Sequence, residues 1–231
     1  MSRKLKGKNT KAVNLIAYNQ PKLHITEQYR LVRTNILFSS VDRNLKTIIV
    51  TSPEPSEGKT TTAANLAIVL AQQGKHVLLV DADLRKPSVH HSFKVSNIQG
   101  LTSVLTKKTD LEEAIYKTHV PFLNILTSGP IPPNPAEILD SKAMEMIIEK
   151  LKGMFEFVIF DTPPVLAVTD SQIIANKCDG IVMVVASGKT NKEHAVKTKE
   201  LLEKTKSKII GVVVNGVDSK RDGYYYEYGK N

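Results

Sequence analysis

The chain has 231 residues, 41% of them hydrophobic, a single cysteine and a formal net charge of +9. This length and apolar share suit one globular domain with a substantial core, and a lone Cys178 rules out an intrachain disulfide or a cysteine-based zinc site. No uninterrupted apolar stretch approaches the ~20 residues of a membrane span, which together with the single thiol fits a reducing cytoplasm.

Residues 1–25 read as a basic arm, with Arg3, Lys4, Lys6, Lys8 and Lys11 in a polar segment that lacks helix or strand period. Such an arm could rest on anionic headgroups, while the rest of the charge is read as a soluble surface and nucleic acid is not expected as a partner. A helix is predicted over 27–38. Its Glu27, Arg30 and Arg33, spaced three apart, put an acid and two bases along one side, and Tyr29, Val32 and Ile36 supply an apolar stripe. A solvated charged face would account for the same spacing.

A buried strand over 48–50 runs into Ser52-Pro53-Glu54-Pro55-Ser56-Glu57-Gly58-Lys59-Thr60-Thr61, which opens an amphipathic helix over 60–73. That junction is where a phosphate-binding loop sits: successive backbone N–H groups converge at a helix N-terminus whose dipole favours an anion. Lys59 can reach the outer phosphates and Thr60 can ligate Mg²⁺, with Ser56, Glu57, Gly58 and Thr61 completing the cradle. The pattern G-x-x-x-x-G-K-[ST] is incomplete, because Pro53 stands where its first glycine would be. An ordinary strand-to-helix turn is the competing reading.

The next strand, 77–80, ends in Asp81-Ala82-Asp83-Leu84-Arg85-Lys86-Pro87, two carboxylates on one side of an extended chain. One could accept the proton of an attacking hydroxyl and the other help hold Mg²⁺; alternatively an aspartate caps a turn and Asp83 pairs with Arg85. A helix over 110–116 and a strand over 122–126 follow. The run Asn134-Pro135-Ala136-Glu137 then starts a helix over 135–151. Strand 157–160 ends in Asp161-Thr162-Pro163-Pro164, four apolar residues and an aspartate, the form of the second Mg²⁺-holding motif of a phosphate site. Helix 170–176, strand 181–185, helix 191–204 with Thr190 and Glu193 as a capping box, and strand 209–214 complete the series. The last strand reaches Asn215, placed either to meet a purine or to form an Asn-Gly turn.

Continuous apolar β-branched runs alternating with amphipathic segments predict an α/β fold, a doubly wound, mostly parallel sheet with helices on both faces and its ligand at the carboxyl ends of the strands. Residues 26–216 form that domain, and 217–231 read as a mobile tail. The tail holds Tyr224, Tyr225, Tyr226 and Tyr228, four of the chain's seven tyrosines. They are either an aromatic patch that packs on a neighbour or a cluster of phosphoacceptors. At ~3.3 Å per residue the tail could stretch about 50 Å, enough to reach a site on an adjacent subunit.

The phosphate loop with Gly58-Lys59-Thr60, the Asp81–Pro87 run, Asp161-Thr162-Pro163-Pro164, the segment Ser128-Gly129-Pro130-Ile131-Pro132-Pro133-Asn134-Pro135 and the tyrosine tail together resemble the bacterial tyrosine kinases of capsule and exopolysaccharide synthesis. The likeness is to the Gram-positive form, a separate cytoplasmic kinase activated by the cytoplasmic end of a membrane-embedded modulator protein. The resemblance implies a P-loop fold, ATP and Mg²⁺ as ligands, Asp81 as base toward a tyrosine hydroxyl, and Asp83 and Asp161 organising the metal beside Lys59 and Thr60. It implies further that Glu27, Arg30 and Arg33 join subunits into a ring in which each tail enters a neighbour's site. Sugar-nucleotide enzymes as protein substrates, and an opposing tyrosine phosphatase, also follow from it. Ser56 departs from the glycine more usual there, a strained choice if the loop needs a positive φ. The rival, a partitioning or positioning ATPase with a deviant phosphate loop, would carry a lysine where this chain has Glu54 and has no use for the tail.

Overall fold

The computed structural model describes residues 12–41 and 45–217; the five basic residues of the first eleven positions and the tail tyrosines Tyr224, Tyr225, Tyr226 and Tyr228 lie outside them. Among the described residues seven strands form one sheet: β1 (Thr47–Thr51), β2 (Val77–Asp81), β3 (Ile115–Lys117), β4 (Leu123–Leu126), β5 (Phe157–Asp161), β6 (Gly180–Ala186) and β7 (Lys208–Asn215). Their order is β3-β4-β2-β5-β1-β6-β7, parallel throughout except for β3, which runs antiparallel to β4.

Every residue of β1, β2 and β5 is buried, because helices cover both faces, and this is why those strands appear in the sequence as unbroken apolar runs. Alternate residues of a strand serve opposite cores. Ile48 and Val50 pack under α2 (His24–Val41) and α3 (Lys59–Ala71), while Ile49 joins Val80, Val158 and Phe160 beneath α8 (Lys142–Met154) and α9 (Asp170–Ala175). Cys178 belongs to the second core, and burial pushes its thiol up to about 12. No helix among the described residues is long and apolar enough to cross a membrane.

Several expectations about local structure need correction. The helix expected over 110–116 is one turn, α6 (Leu111–Ala114), after which Ile115–Lys117 pairs with β4 as the edge strand β3. The helix expected over 135–151 is two, α7 (Pro135–Asp140) and α8, separated by Ser141 in an extended conformation, whose hydroxyl accepts a hydrogen bond from Met144 N. Asn134 caps no backbone N–H; its Nδ2 donates to Glu137 Oε2 at 2.5 Å. For α10 (Lys192–Glu203) the cap is Asn191, accepting from Glu193 N at 2.7 Å, so the predicted Thr190–Glu193 box does not form. Three short helices went unread: α1 (Ile16–Asn19), α4 (Val89–Phe93) and α5 (Leu101–Leu105). They are four or five residues long, too brief to show a 3.6-residue period.

The segment before α5 is pressed against the end of β4, where Leu101 N donates to Thr127 O at 2.7 Å and Thr102 N to Ser128 O at 2.8 Å. A Cβ on Gly100 would stand 2.3 Å from Thr127 O and 2.4 Å from Gly129 N, both backbone atoms. Gly100→Ala should therefore destabilise the protein by about 2–3 kcal/mol in denaturant unfolding, and an unchanged midpoint would contradict this packing.

Candidate active site

The chain leaves β1 through Ser52–Gly58 and enters α3 at Lys59, buried along nearly all of its length. Ser56 adopts φ 66° and Gly58 φ 94°. The serine thus sits in the left-handed region that glycine would occupy freely, at a cost of ~1 kcal/mol. The loop is held from outside. Glu57 is buried; its Oε2 accepts from Glu54 N at 2.9 Å and its Oε1 from the Thr190 hydroxyl, which in turn accepts from Ala186 N at 2.7 Å. Asn215, at the end of β7, donates from Nδ2 to Glu57 O at 3.0 Å. This amide, read from the sequence as meeting either a purine or an Asn-Gly turn, is bonded to the loop itself, so close that a Cβ on Gly58 would lie 2.0 Å from it.

Lys59 is the cation of the site. Its Nζ lies 3.2 Å from Asp83 Oδ2, 3.3 Å from Asp161 Oδ1 and 3.3 Å from Thr60 Oγ1. Burial alone would lower the pKa of this ammonium, but the carboxylates of Asp161, Asp83 and Asp81 hold it above the ordinary lysine value. Asp83 does not pair with Arg85; its Oδ1 accepts from Lys86 N at 3.0 Å. Asp161 is fully buried and raised by that burial, against the pull of Lys59.

Asp81 is also fully buried. Its Oδ2 accepts from Ser88 N at 2.9 Å and Val89 N at 3.0 Å, at the start of α4, while Oδ1 has only a long contact, 3.3 Å, from Asp83 N. Burial first, and the neighbouring Asp161 carboxylate second, push its pKa up to about 7, against the Val89 N–H, Lys59 and the Ser88 N–H. A carboxyl group poised near neutrality can take up and release a proton at physiological pH.

Mg²⁺ takes oxygen ligands, commonly one or two carboxylates completed by phosphate oxygens. The residues fit that chemistry: Asp161 Oδ2 is buried without a hydrogen-bond partner, and the Thr60 hydroxyl and Asp83 carboxylate lie around the same ammonium.

A pairing that the sequence did not show binds the acid-bearing loops together. Arg85 Nε and Nη2 grip Asp170 Oδ2 and Oδ1 at 2.8 and 3.0 Å, a two-pronged pair on a fully buried carboxylate. Asp170 opens α9, with five residues between it and the Asp161–Pro164 turn. That turn is laced to β1 by Thr162 N to Val50 O at 3.2 Å and by the Thr51 hydroxyl to Pro163 O at 2.9 Å.

Glu27, Arg30 and Arg33 do not share one side of α2. Steps of three residues drift by about 60° each around a helix of 3.6 residues per turn. Glu27 and Arg30 therefore form a surface ion pair, while Arg33 turns inward and donates from Nη1 to Val69 O at 2.9 Å, in the last turn of α3. Tyr29 and Ile36 are buried and Val32 packs partly against the same core, as the stripe predicted.

Comparison with known proteins agrees with this geometry. A family model described as an AAA domain matches residues 45–210. The tyrosine-protein kinase YwqD of Bacillus subtilis (strain 168) is 54% identical over 216 residues, 94% of this chain and 91% of that protein. Among solved structures, the kinase domain of the Escherichia coli tyrosine kinase ETK superposes with a TM-score of 0.87 at 31% identity, over 98% of this chain and 88% of that one. The chimerical protein CapA2B2 superposes with a TM-score of 0.84 at 42% identity, over 88% of this chain and 91% of that one. With the lysine of the phosphate loop set beside the strand-end carboxylates and identity sustained across almost the whole of both proteins, the chain belongs to the bacterial tyrosine-protein kinases, built on the α/β fold of P-loop nucleoside triphosphatases.

Proposed function

We propose that this kinase uses Mg²⁺-ATP to phosphorylate its own carboxyl-terminal tyrosines, Tyr224, Tyr225, Tyr226 and Tyr228, each tail being presented to the site of a neighbouring copy. Proteins of capsule and exopolysaccharide synthesis, sugar-nucleotide enzymes among them, are its further substrates. The observation that carries the reading is the Lys59-centred acid cluster beside a chain that ends in four clustered phenols.

In the transfer, the phenol oxygen forms a bond to the γ-phosphorus, the bond to the β,γ-bridging oxygen breaks, and ADP leaves with that electron pair. Asp81 Oδ1, the less engaged oxygen of a carboxyl poised near neutrality, takes the phenolic proton. Because Asp81 is fully buried, substrate binding must part the groups around it before the phenol reaches that atom. The loop N–H groups and Lys59 would bind the phosphates, and Thr60, Asp83 and Asp161 would hold Mg²⁺, whose chemistry there would be to neutralise charge on the transferring group.

The ion pair of exposed Glu27 and half-buried Arg30 on α2 is the contact through which copies assemble into a ring, and a membrane-embedded modulator recruits the chain to the inner face of the membrane, where a tyrosine phosphatase reverses the modification. A water-using positioning ATPase is disfavoured by Glu54, where that group carries lysine; its carboxylate instead lies 3.1 Å from His194 Nδ1.

Incubation with Mg²⁺-ATP and the modulator's cytoplasmic segment should place phosphate on the tail tyrosines, mapped by mass spectrometry. Lys59→Met and Asp81→Ala should abolish it; release of inorganic phosphate with no phosphotyrosine would refute the assignment. Asp81 also predicts a pH effect. Its folded-state pKa lies above the unfolded value, so between about pH 4 and pH 7 the folded chain binds the extra proton and stability falls as pH rises through that window. Asp81→Asn should consequently raise the melting temperature by a few degrees at pH 8 without nucleotide and barely change it at pH 5, while eliminating transfer. Phosphorylated tails gain ~1.5 to 2 negative charges per tyrosine and should repel one another; native mass should then show a smaller assembly before dephosphorylation than after it.

A further inference from the structure

Ile98 is 80% exposed, more than any other large hydrophobic residue among those described, and Ile131 is 63% exposed. Both ride on loops at the ligand edge of the sheet, and a single side chain braces the two. Asn97 donates from Nδ2 to Gly129 O at 3.1 Å and accepts at Oδ1 from Gly129 N at 2.9 Å and the Ser128 hydroxyl at 3.1 Å. Ile98 is one peptide link from that asparagine and Ile131 two from that glycine. Pro130, Pro132 and Pro133 fix φ around Ile131, and Gly100 has no space for a side chain against Thr127 and Gly129. Apolar groups held out to solvent on so stiff a support lose little freedom on being covered.

Their position bears on the reaction. β4 pairs with β2 with Leu126 beside Val80, so the segment from Ser128 to Ile131 leaves the sheet alongside the segment carrying Asp81 and Asp83. The phosphate loop and Asn215 occupy the other half of the edge, on β1 and β7. Entering and leaving oxygens lie roughly in line across the transferred phosphorus. The acceptor thus arrives from the β4 side.

We infer that Ile98 and Ile131, on their braced loops beside the acid-bearing end of β2, form the docking platform for the tyrosine-rich segment 224–228 of a second copy of this chain. The inference rests on the tail being the acceptor. Phenol rings pack well on aliphatic and proline surfaces, and the acidic Asp222 and Glu227 around the tyrosines are opposite in charge to Lys86, exposed five residues after Asp81. Laying the whole segment on the platform, Tyr224 included, selects the second copy. From Val217 to Tyr224 an extended chain covers at most ~23 Å at ~3.3 Å per residue. Five strand spacings of ~4.8 Å, about 24 Å, separate β7 from β4 before any detour around the phosphate loop.

The test uses a full-length Lys59→Met chain as tail donor and, as enzyme, the full chain with its four tail tyrosines changed to Phe, with and without Ile98→Ser and Ile131→Ser together. The rate of phosphotyrosine formation on the donor is measured against donor concentration, with Mg²⁺-ATP affinity measured separately by equilibrium binding. The serine pair should raise the KM for donor at least about tenfold with kcat and ATP affinity unchanged, and Ile98→Val with Ile131→Val should restore it. An unchanged KM overturns the platform. So does a loss confined to other protein substrates or to activation by the modulator, which would give the surface a different occupant. If the unsubstituted enzyme leaves no phosphotyrosine on the donor, the acceptor assignment fails by itself. Binding of a fluorescent 217–231 peptide to the Lys59→Met chain then decides the platform: the serine pair should weaken it about tenfold, and equal affinity refutes the inference.

Discussion

The ligand edge of this molecule depends on one buried ammonium. Asp81, Asp83 and Asp161 are almost wholly withdrawn from solvent, and removing a carboxylate from water costs several kcal/mol in real proteins. Lys59, within 3.3 Å of two of them, supplies the compensating charge. It does so from the first turn of α3, where the helix dipole disfavours a cation. That placement makes sense only if the acids are the stronger influence, and the upward displacement of the lysine's pKa has the sign this requires. In the proposed reaction an incoming triphosphate with its metal would compete for the same ammonium and the same carboxylates, so nucleotide binding would exchange one set of charge pairs for another instead of creating them in empty space.

Around that centre the sheet order divides labour along the edge. β1, β6 and β7 carry the phosphate loop and its braces, Glu57 to Thr190 and Asn215 to Glu57; β2 and β5 carry the acids; β4 carries the stiff loop with Ile131. The acid loops are joined by Arg85 and Asp170, a bidentate pair whose geometry no lysine could reproduce. Their spacing is therefore set by side chains that touch neither phosphate nor phenol.

The acids were legible in the sequence because buried parallel strands appear as unbroken apolar runs, and a charge marks where the chain emerges at the ligand edge. Gly58-Lys59-Thr60 was legible for the same reason, as the junction between such a run and a helix. Pairings across long separations were not: Arg85 with Asp170 lies 85 residues apart, and Glu57 with Thr190 lies 133. Neither leaves a local pattern. Thr190 looked like a helix cap because its spacing to Glu193 allowed it, but a buried glutamate claimed its hydroxyl and Asn191 took over the cap. The strand Ile115–Lys117 was masked by helix-forming residues before it, and only its pairing with β4 makes it a strand.

Arg33 lies midway along α2 and satisfies a carbonyl at the far end of α3, the helix whose opposite tip follows the phosphate loop. Charge-removing substitutions along α2 are consequently not equivalent experiments. Glu27 and Arg30 can be altered without touching the catalytic half of the protein, whereas loss of Arg33 strips a terminal carbonyl of its donor and perturbs the seating of α3. In the proposed ring, a defect in self-association caused there would be entangled with a defect in the seating of α3, and a clean separation of quaternary structure from chemistry has to be made at the outer two positions.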